Sequence, residues 1–172
     1  IKLGASGKIV SAFDIASVLA IGADWCNSAR GFMFAIGCIQ SQSCHTNKCP
    51  TGVATQDPLR QRALVVPDKA ARVFNFHRNT LRALAEMLAA AGLTHPEQLQ
   101  AKHLVRRMSA SEVKLFSQLH VFLKPGELLT GEVQGEFYAR MWQLARADSF
   151  EPNSPEPSTE NKLCAEDSFQ PA

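Results

Sequence analysis

Apolar positions in this chain first come in short bursts punctuated by glycine, and later at a long helical period. Ile1 and Leu3 read as the end of a short strand, followed by the turn Gly4-Ala5-Ser6-Gly7. Ser11-x-x-Asp14 has the form of a capping box, in which side chains at both ends of the first turn satisfy free N–H groups. It predicts a helix to about residue 21, with Ala12, Ile15, Ala16, Val18 and Leu19 inward and Gly22 as its stop. Residues 23–26 read as a second strand. Asn27-Ser28 leads into a second helix over 29–36, closed by Gly37. Strand, turn, helix, strand, turn, helix is the rhythm of a parallel α/β sheet or barrel.

Beyond residue 57 the period lengthens. Asp57-Pro58 starts a short helical piece, and Pro67-Asp68 a helix of about 24 residues ending at Gly92. Ala70, Val73, Phe74, His77, Leu81, Leu84, Leu88 and Ala91 make its predicted apolar stripe. Arg72, Asn75, Asn79, Arg82 and Glu86 lie opposite. Thr94-His95-Pro96-Glu97 opens another short helix. Ser109 with Glu112 predicts a capped helix to residue 121, and a last helix is expected over 132–147. Pro, Ser, Glu and Asn dominate 149–172, a composition that buries too little apolar surface to offset chain entropy, so a disordered tail ending the natural chain is expected.

Charge narrows the picture only slightly. A net charge of +2 over 172 residues gives no basis for nucleic-acid or anionic-membrane binding. No apolar run reaches the roughly 18 residues of a membrane span. The chain begins without Met or signal peptide, as the middle of a domain would, and an N-terminal truncation is expected. Of five cysteines, four fall between Cys26 and Cys49, and Cys164 stands in the tail. Clustering of this kind indicates a metal site in a reducing compartment, hence a cytoplasmic protein, rather than a disulfide framework.

The chemistry concentrates in 37–50, GCIQSQSCHTNKCP. Cys38, Cys44 and Cys49 form a C-x5-C-x4-C run followed by Pro50, with His45 and Lys48 between them. Nearby positive charge and free N–H groups lower a thiol's pKa and stabilise a negative cluster. A Cys-Pro ending also marks bacterial iron–sulfur runs. Zinc is the competing reading; it calls for four ligands and so for Cys26 or His45 as the fourth. Three buried free thiols are the bland alternative. The two turns that follow the strands are candidate anion sites, because backbone N–H groups at a glycine turn or helix start favour phosphate. The candidates are Ser6 and Gly7 in one turn, and Ser28, Ala29, Arg30 and Gly31 in the other. Ordinary loops would read the same way. His77, Phe32, Met33, Phe34 and Trp25 read as packing residues and Cys26 as a free thiol. His95, His103, His120 and Arg106-Arg107 read as surface groups.

Residues 4–57 resemble the flavin-binding end of the glutamate synthase family's synthase domain. The matching residues are Ser6-Gly7, Asp14, Gly22-Ala23, Gly37-Cys38, Cys44-His45-Thr46-Asn47, Cys49-Pro50, Gly52-Val53 and Thr55-Gln56-Asp57. The resemblance implies an α/β fold: the last two β/α units of a (β/α)8 TIM barrel (1–37), an iron–sulfur loop (38–57), a mainly helical region (58–148) and the tail (149–172). It implies a [3Fe-4S] cluster on Cys38, Cys44 and Cys49, which needs only three thiolates, and FMN with its phosphate between Gly7 and the Ala29-Arg30-Gly31 turn. The implied reaction is synthesis of L-glutamate. Ammonia from glutamine and 2-oxoglutarate form an imine, and reduced FMN delivers hydride to it. Electrons come through the cluster from ferredoxin or a pyridine-nucleotide-dependent subunit. No catalytic residue is assigned within these 172 positions. The alternatives are a non-catalytic electron-transfer or helical interaction module and a zinc-binding structural domain.

Overall fold

The computed structural model describes residues 1–153 except 132 and 134. Cys164 and most of the 149–172 tail lie outside the described residues. The chain divides into two compact units, Ile1–His120 and a second that begins at Val121. The first is a mixed α/β unit. Strand β1 (Gly4–Ser6), helix α1 (Ala12–Ala20), strand β2 (Trp25–Asn27) and helix α2 (Arg30–Ala35) follow in order. β1 and β2 pair in parallel, with Gly4 opposite Trp25 and Ser6 opposite Asn27. This order and register are compatible with two consecutive β/α units of a TIM barrel.

The first strand lies later than the apolar pattern predicts. Its start is set by Asp24, which accepts the Leu3 N–H (2.7 Å) and the Lys2 ammonium (2.8 Å), while its own N–H donates to the Leu3 carbonyl (2.9 Å). Pairing therefore begins after Leu3 and runs through Gly-Ala-Ser, the stretch read as a turn. Trp25, read as packed, is 51% exposed. Its indole lies against the Cα of Gly4, on the face of a sheet that has two strands among the described residues.

Helix α1 begins as the capping box requires. The Ser11 hydroxyl accepts the Asp14 N–H (3.2 Å), and the Asp14 carboxylate accepts the Ser11 N–H (2.8 Å). The Ser11→Ala variant is expected to lose about 1 kcal/mol in urea unfolding. Asp14 is held below the ordinary carboxylate pKa, first by the Ser11 N–H. A lowered folded-state value stabilises the fold above the unfolded value of about 4, and that contribution is lost as pH falls through the folded value. The stability gap between wild type and Asp14→Asn should thus be steady near neutrality and shrink below about pH 4.

Ala12, Ala16 and Ala20 form the small-residue face that lets α1 approach Leu84 and Leu88 of α4 (Val66–Ala90). Leu99, Ala101, Leu104 and Phe116 complete this core. Burying each large side chain contributes about 2 kcal/mol. The inward face of α4 is rotated from the predicted stripe. Val73, Phe76, Thr80, Ala83, Leu84, Met87 and Leu88 turn inward, whereas Phe74 (62%) and Leu81 (48%) stand exposed. The reason is that α4 serves two neighbours. Its first half meets α2, where Phe76 packs edge-on against Phe32 at 5.2 Å, and its second half meets α1. His77 is exposed rather than packed, with its ring 5.8 Å from Phe32.

The helix predicted from Ser109 to residue 121 is instead a hairpin, β3 (Val105–Arg107) and β4 (Val113–Leu115), followed by the short helix α5 (Phe116–Leu119). The Ser-x-x-Glu signature is consumed in the hairpin turn. The N–H groups of Met108 and Ser109 both donate to the Glu112 carbonyl, and the Ser111 N–H to the Ser109 hydroxyl. In the second unit, α6 (Glu127–Thr130) and α7 (Glu136–Leu144) are the described helices, the latter shorter than the 132–147 expected.

Candidate metal centre and adjoining turns

The parallel register sets the two candidate anion turns side by side. Ser6 ends β1 directly opposite Asn27 at the end of β2. The Ser28 hydroxyl ties the turns together by donating to the Ile9 carbonyl (2.8 Å), and Ile9 itself is buried. Gly7 (φ 110°) and Lys8 (φ 55°) turn the first loop back toward α1. Ala29 and Arg30 open α2 without a side-chain cap. A Cβ on Gly31 would lie 2.8 Å from Phe76 Cζ and 3.0 Å from Ser28 Oγ, so glycine there lets α2 sit on α4 and keeps the turn close.

Helix α2 delivers the first cysteine. Gly37 takes φ 108°, and the Gly37 and Cys38 N–H groups donate back to the carbonyls of Phe34 (3.0 Å) and Met33 (2.9 Å). This is a Schellman closure, which needs a residue tolerant of the left-handed region at the turn. It fixes Cys38 three residues past the last residue of the helix. Cys44 opens a single 3-10 turn, Cys44–Thr46, and Asn47 (φ 62°) reverses the chain. The Asn47 side-chain oxygen then accepts the Gln56 N–H (2.6 Å) and the Thr55 hydroxyl (3.0 Å), closing the loop on itself. His45 and Lys48 lie on its exposed side.

Cys49 is the buried member of the three. The Thr51 hydroxyl and its sulfur form a hydrogen bond (3.4 Å) in which either can donate, and the N–H groups of Thr51, Val53 and Ala54 lie close enough to act on the sulfur. Led by the hydroxyl, these groups lower its pKa to about 7, which puts a large thiolate fraction at neutral pH. Burial pushes Cys26 the other way.

Cys38 and Cys44 line one cavity of about 330 Å³ with Ala29, Arg30, Met33, Phe34, Gln40 and Gln42. The second candidate turn and two of the three cysteines therefore share one space. Cys49 lies outside that lining, and among the described residues no three Cys, His, Asp or Glu side chains converge as a metal site. Gln40 and Gln42 (both φ 57°) join Asn47 as non-glycine residues in the left-handed region, so backbone strain collects in this loop. The donor set fits an iron–sulfur cluster in its chemistry: three thiols in twelve residues, one of them already cradled by N–H and O–H groups. Zinc's fourth ligand is not supplied nearby by Cys26, which sits mid-strand opposite Ala5. Sequence reasoning passed over Thr51, although a threonine two residues past a cysteine is a turn-forming signal.

Comparison with known proteins matches these features to one family. Residues 1–94 match the family model described as the conserved region in glutamate synthase. The chain is 43% identical over 124 residues to the glutamate synthase large subunit-like protein YerD of Bacillus subtilis, covering 72% of this chain and 24% of that protein. It is 30% identical over 114 residues to the NADPH glutamate synthase large chain of Azospirillum brasilense, covering 60% and 8%. It is 39% identical over 93 residues to the ferredoxin-dependent glutamate synthase of Pyropia yezoensis, covering 54% and 6%. The chain thus spans a quarter or less of the length of these relatives. No solved structure gives a significant match. The match spans both strand-end turns, the cysteine loop and α4, and the chain belongs to the glutamate synthase family.

Proposed function

We propose that this chain is the C-terminal part of the FMN-binding synthase domain of a glutamate synthase-type oxidoreductase. The observation that carries the reading is the cavity shared by Ala29, Arg30, Cys38 and Cys44. It sets a strand-end turn suited to a phosphate beside thiols suited to a cluster. Ser6, Gly7, Ser28, Ala29, Arg30 and Gly31 form the phosphate end of the flavin site, with Arg30 adding charge and Ser28 holding the turns in register. Cys38, Cys44 and Cys49 hold a [3Fe-4S] cluster. Bound FMN supplies hydride chemistry and the cluster supplies single-electron transfer; the protein positions and tunes both. The whole protein makes L-glutamate from 2-oxoglutarate and glutamine-derived ammonia, in the cytoplasm, with a ferredoxin or a pyridine-nucleotide-dependent subunit as electron donor.

The test is FMN content and turnover of the native protein. Release of FMN on denaturation, together with glutamate formation from 2-oxoglutarate and glutamine under reducing conditions, is expected. A protein with neither contradicts the reading. Arg30→Gln should weaken FMN binding about tenfold, the loss of one charge-assisted hydrogen bond, read by flavin fluorescence quenching. A second reading, a non-catalytic electron-transfer or interaction module, draws support from the exposed Phe74 and Leu81 on α4. FMN bound tightly in the turn site would count against it.

A further inference from the structure

One residue of the first strand-end turn holds a conformation that its side chain disfavours. Lys8 takes φ 55° directly after Gly7 (φ 110°). Glycine enters the left-handed region freely, whereas lysine does so at a cost and only where its surroundings hold it there. Two features of Ile9 supply that hold. Its side chain is 2% exposed, which anchors the chain on one side of Lys8. Its carbonyl accepts the Ser28 hydroxyl (2.8 Å) from the second turn, 19 positions away. The Ser28 proton is thereby committed to the main chain. Among the described residues the Gly7 and Lys8 N–H groups have no hydrogen-bond partner. A Cβ on Gly7 would meet nothing within 4 Å, so this turn borders open space. Successive free N–H groups beside open space at a strand end fit a phosphate.

We propose that Ser28 is a positioning residue: by holding the Ile9 carbonyl it keeps Lys8 left-handed, so that the Gly7–Lys8 turn meets the flavin phosphate in a fixed shape. A turn ordered in advance does not have to be ordered on binding, and affinity rises by the cost saved. The inference rests on the FMN reading above and deepens it. Ser28 acts through the first turn rather than by touching the phosphate. Lys8 enters the site as the strained residue on which Ser28 acts.

The experiment compares FMN with riboflavin, the same ring system without the phosphate, by fluorescence quenching on the flavin-free native full-length protein. Wild type, Ser28→Ala, Lys8→Gly and the double variant are titrated. Ser28→Ala is expected to bind FMN about fivefold more weakly, the loss of one hydrogen bond, and riboflavin as wild type does. Glycine at position 8 takes the left-handed form without help from Ser28. In the Lys8→Gly background the same Ser28→Ala change should therefore cost about twofold or less. The lysine charge is absent from both proteins of that second comparison, so it does not enter the difference. Equal losses in the two backgrounds overturn the proposal, because a direct contact with the phosphate is additive with the turn. Unchanged FMN affinity in Ser28→Ala overturns it, as does an equal loss for FMN and riboflavin or a Ser28→Ala protein that does not fold, since the bond would then serve the fold at large. Wild-type protein that binds neither flavin would instead remove the FMN reading itself.

Discussion

Serine in place of any one of Cys38, Cys44 or Cys49 should leave the protein without its iron–sulfur cluster, seen as loss of iron, sulfide and the broad visible absorption. The magnitude follows from the ligand count. A three-thiolate cluster has no spare ligand, and a serine hydroxyl is a far weaker acid than a thiol and does not replace the thiolate that binds iron. Cys49 should be the most sensitive, because it is the buried one of the three. Cys26→Ser and His45→Gln serve as controls that separate the metals. A tetrahedral zinc site recruits one of them as fourth ligand and would lose metal on its substitution. The iron–sulfur account expects full metal content in both variants.

Gly52→Ala should be the most damaging single change outside the cysteines. Gly52 holds φ 76°, and an added Cβ would collide with the Arg60 carbonyl oxygen of α3 (Pro58–Gln61). Neither side of the clash can yield cheaply, since both are backbone. The left-handed penalty and the clash together should cost about 3 kcal/mol. The damage should be local first. The turn carrying Thr51, Val53 and Ala54 over Cys49 would shift, so metal content should fall before the helical core of α1 and α4 unfolds. Circular dichroism that stays near wild type while iron falls by more than half would show this order. Wild-type iron and an unchanged unfolding midpoint would contradict it.

Local signals read well wherever the chain satisfies its own hydrogen bonds. Ser11 with Asp14, Gly37 after α2, and Asp57-Pro58 at α3 each mark their element correctly because cap and partner lie within a few residues. Ser109 with Glu112 misled because the hairpin turn uses the Ser109 hydroxyl as a cap would, while Glu112 serves it through a main-chain carbonyl that any residue supplies. The α4 stripe was misread because periodicity reports that a helix has an apolar face, not that two neighbours meet it at different angles. Phe76, off the predicted stripe, makes the α2 contact, while Phe74 stays outside. At the candidate site, the cysteine spacing and the two strand-end turns were legible as motifs. That Ala29, Arg30, Cys38 and Cys44 share a cavity was not, because it depends on α2 being one and a half turns long and closing at Gly37. The donors over Cys49 were hidden too, since main-chain N–H groups leave no mark in sequence.

Metal analysis of the anaerobically purified native protein tests the central claim most directly. Iron, acid-labile sulfide and zinc should be assayed on the same sample. The three-thiolate account predicts roughly three iron and four sulfide per chain, with zinc at background. Zinc at about one per chain with neither iron nor sulfide would contradict it.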